Sequence, residues 1–265
     1  MANRMCGVLL IGDVVGQAGL RALTLVLPKL IRRFSPALTV VNGENADSGF
    51  GLSPENVAAI YSAGADVITT GNHVWQHKEI QEMLEGDERI LRPGNYPGRL
   101  PGSGAVVCDS KSGRIAVLHL QGRSRMPVID CPFRKARELL RELKGRYEVA
   151  VCDFHAEATD EKEALGSYLD GQLAALVGTH THVQTADERI LPKGTAYITD
   201  LGMTGPNGSV IGFRSDISIQ RSLTQMPLKN EVSNNPATVH GVYVAVDPER
   251  GLADRIERIA EEPGV

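Results

Sequence analysis

Leu173-Ala174-Ala175-Leu176-Val177-Gly178-Thr179-His180-Thr181-His182 is an apolar run, then a glycine, then two imidazoles two residues apart. A short apolar run closed by glycine reads as a buried strand ending in a loop. On that loop His180 and His182 would present two neutral nitrogens to one small volume, which is what a metal site requires. Outward along the chain, four more strand-like runs end in the same way. Val8-Leu9-Leu10-Ile11-Gly12 delivers Asp13, and Leu38 through Gly43 delivers Glu44 and Asn45. Asp66 through Gly71 delivers Asn72 and His73, and Val149 through Phe154 delivers His155. Ligands gathered outside the carboxyl ends of strands are the habit of α/β sheets. Taken singly, each Asp or Asn reads more simply as a helix cap or turn residue. Their recurrence after five separate runs favours one shared site.

With 265 residues the chain is long enough for one large α/β domain or two small ones. No repeat, low-complexity tract or linker divides it, so residues 1–265 read as a single domain. A net charge of −4 offers no polyanion-binding footprint, so bulk nucleic-acid binding is not expected and any phosphate recognition must be local. The apolar runs are strand-sized, which predicts no membrane span, and the amino terminus leads into a strand rather than a signal-peptide core. Cys6, Cys108, Cys131 and Cys152 show no Cys-x-x-Cys spacing, and Cys6 and Cys152 read as small buried hydrophobes. A reduced, cytoplasmic setting is expected, and a homo-oligomer is compatible with the sequence.

Strand and helix alternate through the first two-thirds. Gln17 to Phe34 carries Leu20, Leu23, Leu27, Leu30 and Ile31 at helical spacing. Ser53-Pro54-Glu55 opens a second helix with a cap, a first-turn proline and an early acid. Pro132 to Leu143 is a third, its basic residues interleaved with Glu as on a solvated face. A fourth starts at Thr159-Asp160-Glu161-Lys162. Gly102 to Leu120 reads as a hairpin about Lys111-Ser112-Gly113, and Val239–Val246 and Leu252–Ile259 as two further strands. Gly202 to Gly212, rich in Gly, Pro and Asn, reads as a long loop near the site. The fold class expected is α/β, with parallel strands under helices and antiparallel pairs from the hairpin and the carboxyl-terminal strands.

Residue type then narrows the chemistry. No thiolate joins the set, which disfavours a structural cysteine-type zinc site. Three His, two carboxylates and two Asn amides suit Fe or Mn, or else Zn, with Ni and Co as substitutes in vitro. Seven candidates exceed the need of one ion, whereas two ions about 4 Å apart sharing a carboxylate account for them all. Such a pair makes hydroxide available near neutral pH, neutralises phosphate charge and stabilises in-line displacement, which is phosphoester hydrolysis. The leaving alkoxide needs a proton from outside the metal shell, and His73, beside Asn72, is the natural general acid.

Other candidates read more plainly. His77, four residues past His73 and beginning a helix, suits solvent or a supporting contact better than a metal, His119 a hydrogen-bonded core position, and His240 a structural one. Trp75 suits a base stack or a buried aromatic equally. Arg92, Arg123 and Arg125 lie in loops where they would hold a phosphate oxygen or simply be solvated.

Gly12-Asp13, Gly43-Glu44-Asn45, Gly71-Asn72-His73 and His180-Thr181-His182 resemble the blocks of the calcineurin-like metallophosphoesterase superfamily. The superfamily pattern is Asp-x-His, Gly-Asp-x-x-Asp, Gly-Asn-His-Asp/Glu, a lone His and Gly-His-x-His. Here Val15 stands at the first His, Glu44-Asn45 replaces the second aspartate block, Val74 follows Gly-Asn-His, and Thr179 precedes His180. Those departures resemble a narrower subfamily, the YmdB-type phosphodiesterases. The likeness runs through Ile11–Gly16, Val41–Asn45, Gly71–Trp75, Asp153–Thr159 and Gly178–Asp187, and is looser beyond about Gly212.

The resemblance implies a four-layer αββα sandwich with two mixed β-sheets. It implies one metal held by Asp13, Glu44, Asn45 and His182, another by Glu44, Asn72, His155 and His180, with Glu44 bridging and His73 as proton donor. It also implies small phosphodiesters as substrates, cyclic nucleotides of 2′,3′ or 3′,5′ type. Two alternatives stand beside it: a phosphomonoesterase or nucleotidase on the same core, and a metal- and nucleotide-binding regulator without turnover. His73 argues against the second, because binding alone needs no proton donor.

Overall fold

Period-two alternation in strands buried on both faces builds this molecule. The structure, a computed structural model, describes residues 6–264. From the amino end β1 (Cys6–Ile11) and the short β2 (Asp13–Val14) lead into α1 (Gly16–Phe34). Then come β3 (Leu38–Asn42), α2 (Pro54–Ala63), β4 (Val67–Thr69), α3 (Ile80–Gly86) and β5 (Ile90–Leu91). The middle holds β6 (Ala105–Ser110), β7 (Gly113–Gln121), α4 (Pro132–Glu142), β8 (Val149–His155), α5 (Thr159–Leu169) and β9 (Ala175–Thr179). The last part holds β10 (Arg189–Ile190), β11 (Ala196–Ile198), β12 (Met203–Pro206), α6 (Ser215–Thr224), β13 (Ala237–Asp247) and β14 (Leu252–Glu261).

These strands form two mixed sheets. The eight-stranded one runs β2-β12-β13-β1-β3-β4-β5, with β14 also on β13; the six-stranded one runs β10-β11-β9-β8-β7-β6. Within the first, β1, β3, β4 and β5 are parallel and β13 is antiparallel to both β1 and β14. Within the second, β7, β8, β9 and β11 are parallel, and β6 and β10 close the edges antiparallel.

Alternation assigns each side chain to a layer. Val8 and Leu10 of β1 and Val149 and Val151 of β8 enter a core between the sheets. Leu9 and Ile11 face instead a core with Leu20, Leu23, Leu27 and Leu30 of α1 and Val57 and Ile60 of α2. Ala150, Cys152 and Phe154 face a third, with Ala136 and Leu140 of α4 and Leu165 and Leu169 of α5. Three cores between four layers make the αββα sandwich that the sequence predicts. Each fully buried Leu contributes about 1.5–3 kcal/mol, so truncating Leu23 to Ala would cost about 2–5 kcal/mol.

Local signals place the helices. Ser53 accepts from the Asn56 backbone while the Asn56 side chain accepts from the Ser53 backbone, a reciprocal cap with Pro54 just inside. The structure also departs from expectation. Gly202–Gly212 is not all loop, because β12 pairs with both β2 and β13; its Gly205 and Pro206 hide the strand signal. α6 is unheralded and buries none of its residues, so no apolar stripe announces it, while the helix expected from His77 begins only at Ile80, as α3. The strand near Leu173 begins at Ala175 and runs on through Thr179, which pairs with His155. Among the described residues no helix is long and apolar enough to cross a membrane.

Candidate metal centre

Parallel strands bring their carboxyl ends to one end of each sheet, and the sheets face each other, so loops from both converge. Asp13 begins β2, Glu44 and Asn45 follow β3, Asn72 and His73 follow β4, His155 ends β8, and His180 and His182 follow β9. A parallel bridge between Val15 and Asn45 brings the second loop beside Asp13.

One group of ligand atoms comes from Glu44, His155 and His180, all within 4.8 Å of one another. Nε2 of His155 lies 2.6 Å from Oε2 of Glu44, 3.0 Å from Nδ1 of His180 and 3.2 Å from Oδ1 of Asn72. No hydrogen bond satisfies that buried Glu44 oxygen.

The tautomer of His155 is set behind it. The Thr179 hydroxyl donates to Oδ1 of Asp153 at 2.7 Å, so its lone pairs must receive Nδ1–H of His155 at 2.9 Å. Nε2 is then left without a proton and faces the oxygens of Glu44 and Asn72. Asp153 is held in turn by Thr69 at 2.5 Å and Asn42 at 3.1 Å. Lone pairs converging without protons between them fit a cation.

The second group is Asp13, Asn45 and His182. Nδ2 of Asn45 is 3.3 Å from Oδ1 of Asp13 and 3.1 Å from Nε2 of His182, which itself stands 3.8 Å from that Asp13 oxygen. His182 Nδ1–H donates to the Ile211 carbonyl at 2.8 Å, leaving Nε2 as the free lone pair. An Asn amide assigned the other way round would turn its oxygen toward the same point. The Asp13 carboxylate also takes the His180 backbone N–H at 3.1 Å.

Electrostatics agrees with the geometry. Burial raises the Asp13 carboxyl well above the usual range, with Asp200 and Glu44 adding to it, and burial raises Glu44 as well. Burial also holds His155 and His182 below the ordinary imidazole value and His180 at about 3, with His155 contributing to the last. Acids reluctant to ionise beside imidazoles held neutral are a donor set that a divalent cation would relieve on both counts. Only a residue without a side chain fits behind the pair, because a Cβ on Gly71 would collide with both His155 and Glu44.

His73 stands beside this set. Its backbone N–H donates to Oε1 of Glu44, and its ring meets Phe50 edge-on at 5.0 Å between centroids. The ring lines a cleft of about 320 Å³ together with His180 and His182.

The loop carrying both closing imidazoles is strained, with His180 at φ 101° and His182 at φ 65°. Asp200 ties it down. One oxygen accepts from Lys162 Nζ at 2.7 Å and Thr181 N at 3.1 Å, the other from Gly202 N at 2.8 Å. Lys162 and Asp200 are wholly buried.

Among the remaining candidates, Arg92 spends its donors on the carbonyls of Pro93, Leu100 and Pro101. His119 is a core residue bonded to the Asp153 carbonyl, His240 bonds the Met203 carbonyl, and His77 pairs with Asp47. Trp75 packs edge-on against Tyr96. Sequence reasoning missed Asn42, Asp153, Thr179, Lys162 and Asp200. The available signal was a charged residue at an inward position: Asp153 interrupts an apolar strand, and Lys162 shares a helix face with Leu165 and Leu169.

Comparison with known proteins gives the class. The chain is 46% identical over 252 residues to the 2′,3′-cyclic-nucleotide 2′-phosphodiesterase of Bacillus subtilis, covering 95% of this chain and 96% of that protein. A crystal structure of a phosphatase from Mycoplasma pneumoniae superimposes with TM-score 0.91 at 35% identity, covering 98% and 95% of the two chains. The Haemophilus influenzae NAD nucleotidase shares the fold, with TM-score 0.61 at 14% identity over 97% of this chain and 56% of its own. Fold and relatives together define an enzyme of the metal-dependent phosphoric ester hydrolase class. Within that class the chain belongs to the YmdB-like protein family, whose pattern matches residues 9–259.

Proposed function

We propose that this chain, acting as one catalytic unit over its whole length, is a di-metal phosphodiesterase for small phosphodiesters, above all 2′,3′-cyclic nucleotides. The observation that carries the reading is the convergence of Glu44, His155 and His180 on one point, with His73 beside it. Asp13, Glu44, Asn45 and His182 would hold one cation; Glu44, Asn72, His155 and His180 would hold the other. The mixed nitrogen and oxygen donors best suit Fe or Mn, then Zn. Bound there, the pair would supply a hydroxide nucleophile near neutral pH and neutralise the phosphate.

The protein's own part is positional. Glu44, which would bridge the two ions, fixes the His73 peptide through its second oxygen. Phe50 holds the His73 ring at the cleft. In a 2′,3′-cyclic phosphate the bond from phosphorus to the 2′ oxygen breaks, and that oxygen takes its proton from His73. The name of the Bacillus subtilis relative supports this choice of bond.

The test is a substrate series. Metal-loaded enzyme should hydrolyse bis-p-nitrophenyl phosphate faster than p-nitrophenyl phosphate, and 2′,3′-cyclic AMP faster than 3′,5′-cyclic AMP. Faster turnover of the monoester would point instead to a phosphatase.

A further inference from the structure

We propose that Glu157 makes the site prefer singly charged phosphodiesters over doubly charged phosphomonoesters, an inference that rests on the phosphodiesterase reading above. It starts from the charge of the cleft walls. Among the described residues, no lysine or arginine lines the cleft that His73, His180 and His182 share, and its one carboxylate is Glu157. Glu157 Oε2 stands 3.3 Å from Nε2 of His180, and the side chain is 42% exposed, at the mouth rather than in the core. Its ion-pair partner among the described residues is that imidazole alone, and no lysine or arginine reaches it. Among the described residues no fixed cation is therefore paired with the carboxylate at the mouth.

Charge then sorts the ligands. A diester carries one negative charge, whereas a monoester carries about −1.5 to −2 at pH 7. Sites that welcome the extra charge meet it with Arg or Lys. Here the wall offers the opposite sign. Hydrolysis of a cyclic diester turns a singly charged substrate into a doubly charged product, so the same residue that disfavours entry of monoesters favours their departure. Glu157 is thus a specificity-determining residue, and it also keeps the product from being cut a second time.

The experiment separates this charge from the contact with His180. In Glu157→Gln an amide oxygen remains to meet His180 while the charge is removed. Holoenzyme binding of methyl phosphate and dimethyl phosphate, two small probes that differ by one charge, is measured by calorimetry. Methyl phosphate should bind the variant about fivefold more tightly, the scale of one extra charge at a partly solvated site, with dimethyl phosphate little changed. The kcat/KM ratio of p-nitrophenyl phosphate to bis-p-nitrophenyl phosphate should rise by a similar factor, mainly through KM. A 3′-nucleotide product should inhibit the variant at lower concentration.

A second measurement needs no variant. The wild-type preference for dimethyl over methyl phosphate should narrow as salt rises from about 0.05 to about 0.5 M, because an exposed charge is screened. Unchanged binding of both probes in Glu157→Gln, equal weakening of both, or a wild-type preference indifferent to salt would each overturn the assignment. If wild-type enzyme fails to turn over any diester, the phosphodiesterase reading falls, whereas the binding arms still judge Glu157 by itself.

Discussion

The two ligand groups differ in how they are supported. Around His155 the Glu44 and Asn72 oxygens and Nδ1 of His180 already converge on Nε2, and two strands hold the His155 ring through Thr179 and Asp153. Around Asp13 the Asn45 amide fills the space between carboxylate and imidazole, and His182 takes its orientation from the carbonyl of Ile211 in a loop. A group braced by buried strand residues is preorganised, whereas one braced by a loop must turn an amide to receive a cation. The contrast predicts a tight ion on the strand side and an exchangeable one on the loop side.

The largest effect should come from removing what both groups share. Glu44→Ala should shed both ions, seen by plasma emission, and lose activity by more than about 100-fold, beyond the loss of any outer partner. Retention of one ion at full strength would show that Glu44 does not bridge.

His73 stands outside both groups. His73→Ala should keep both metals yet lose about 10²–10⁴-fold in turnover of a 2′,3′-cyclic nucleotide. The loss should be smaller with bis-p-nitrophenyl phosphate, whose leaving group needs little protonation. A stripped metal, or equal slowing of both substrates, would make His73 a ligand or a phosphate anchor instead.

Thr179→Val tests the strand-side brace. Freed from its hydroxyl partner, His155 should lose its fixed tautomer, and the tight ion should bind about 10–100-fold more weakly in chelator competition. Equal weakening of both ions would dissolve the distinction between the groups. The smallest effect is expected at Asn45→Ala, about tenfold on the loop-side ion alone, because an amide oxygen is a modest ligand. Loss of both ions there would mean that the shells are wrongly divided.

The ends of strands were legible because polar residues after apolar runs stand out. Asp13, Glu44, Asn72, His155 and His180 could be named from one chain, and so could the layers, since runs such as Val8–Ile11 are apolar at every position. What supports them was not legible. Thr179 reads as a turn residue until β9 is seen to carry it alongside His155. Asp153 and Asn42 touch only in three dimensions, 111 positions apart. β12 escaped because strand signals average over side chains, and a segment holding Gly205 and Pro206 has few to offer. α6 escaped because a helix with no buried residue leaves no stripe.

The buried pair of Lys162 and Asp200 has a consequence for motion. The Thr181 and Gly202 amides both end on that carboxylate, in a place that water does not reach. Their hydrogens should therefore exchange with solvent only when the region opens as a unit, on the slow side of the molecule's range. The turn bearing His180 and His182 then has little disorder left to lose when a ligand arrives. Its ordering was completed during folding, so binding can be quick and the grip of the two imidazoles need not wait for a loop to close.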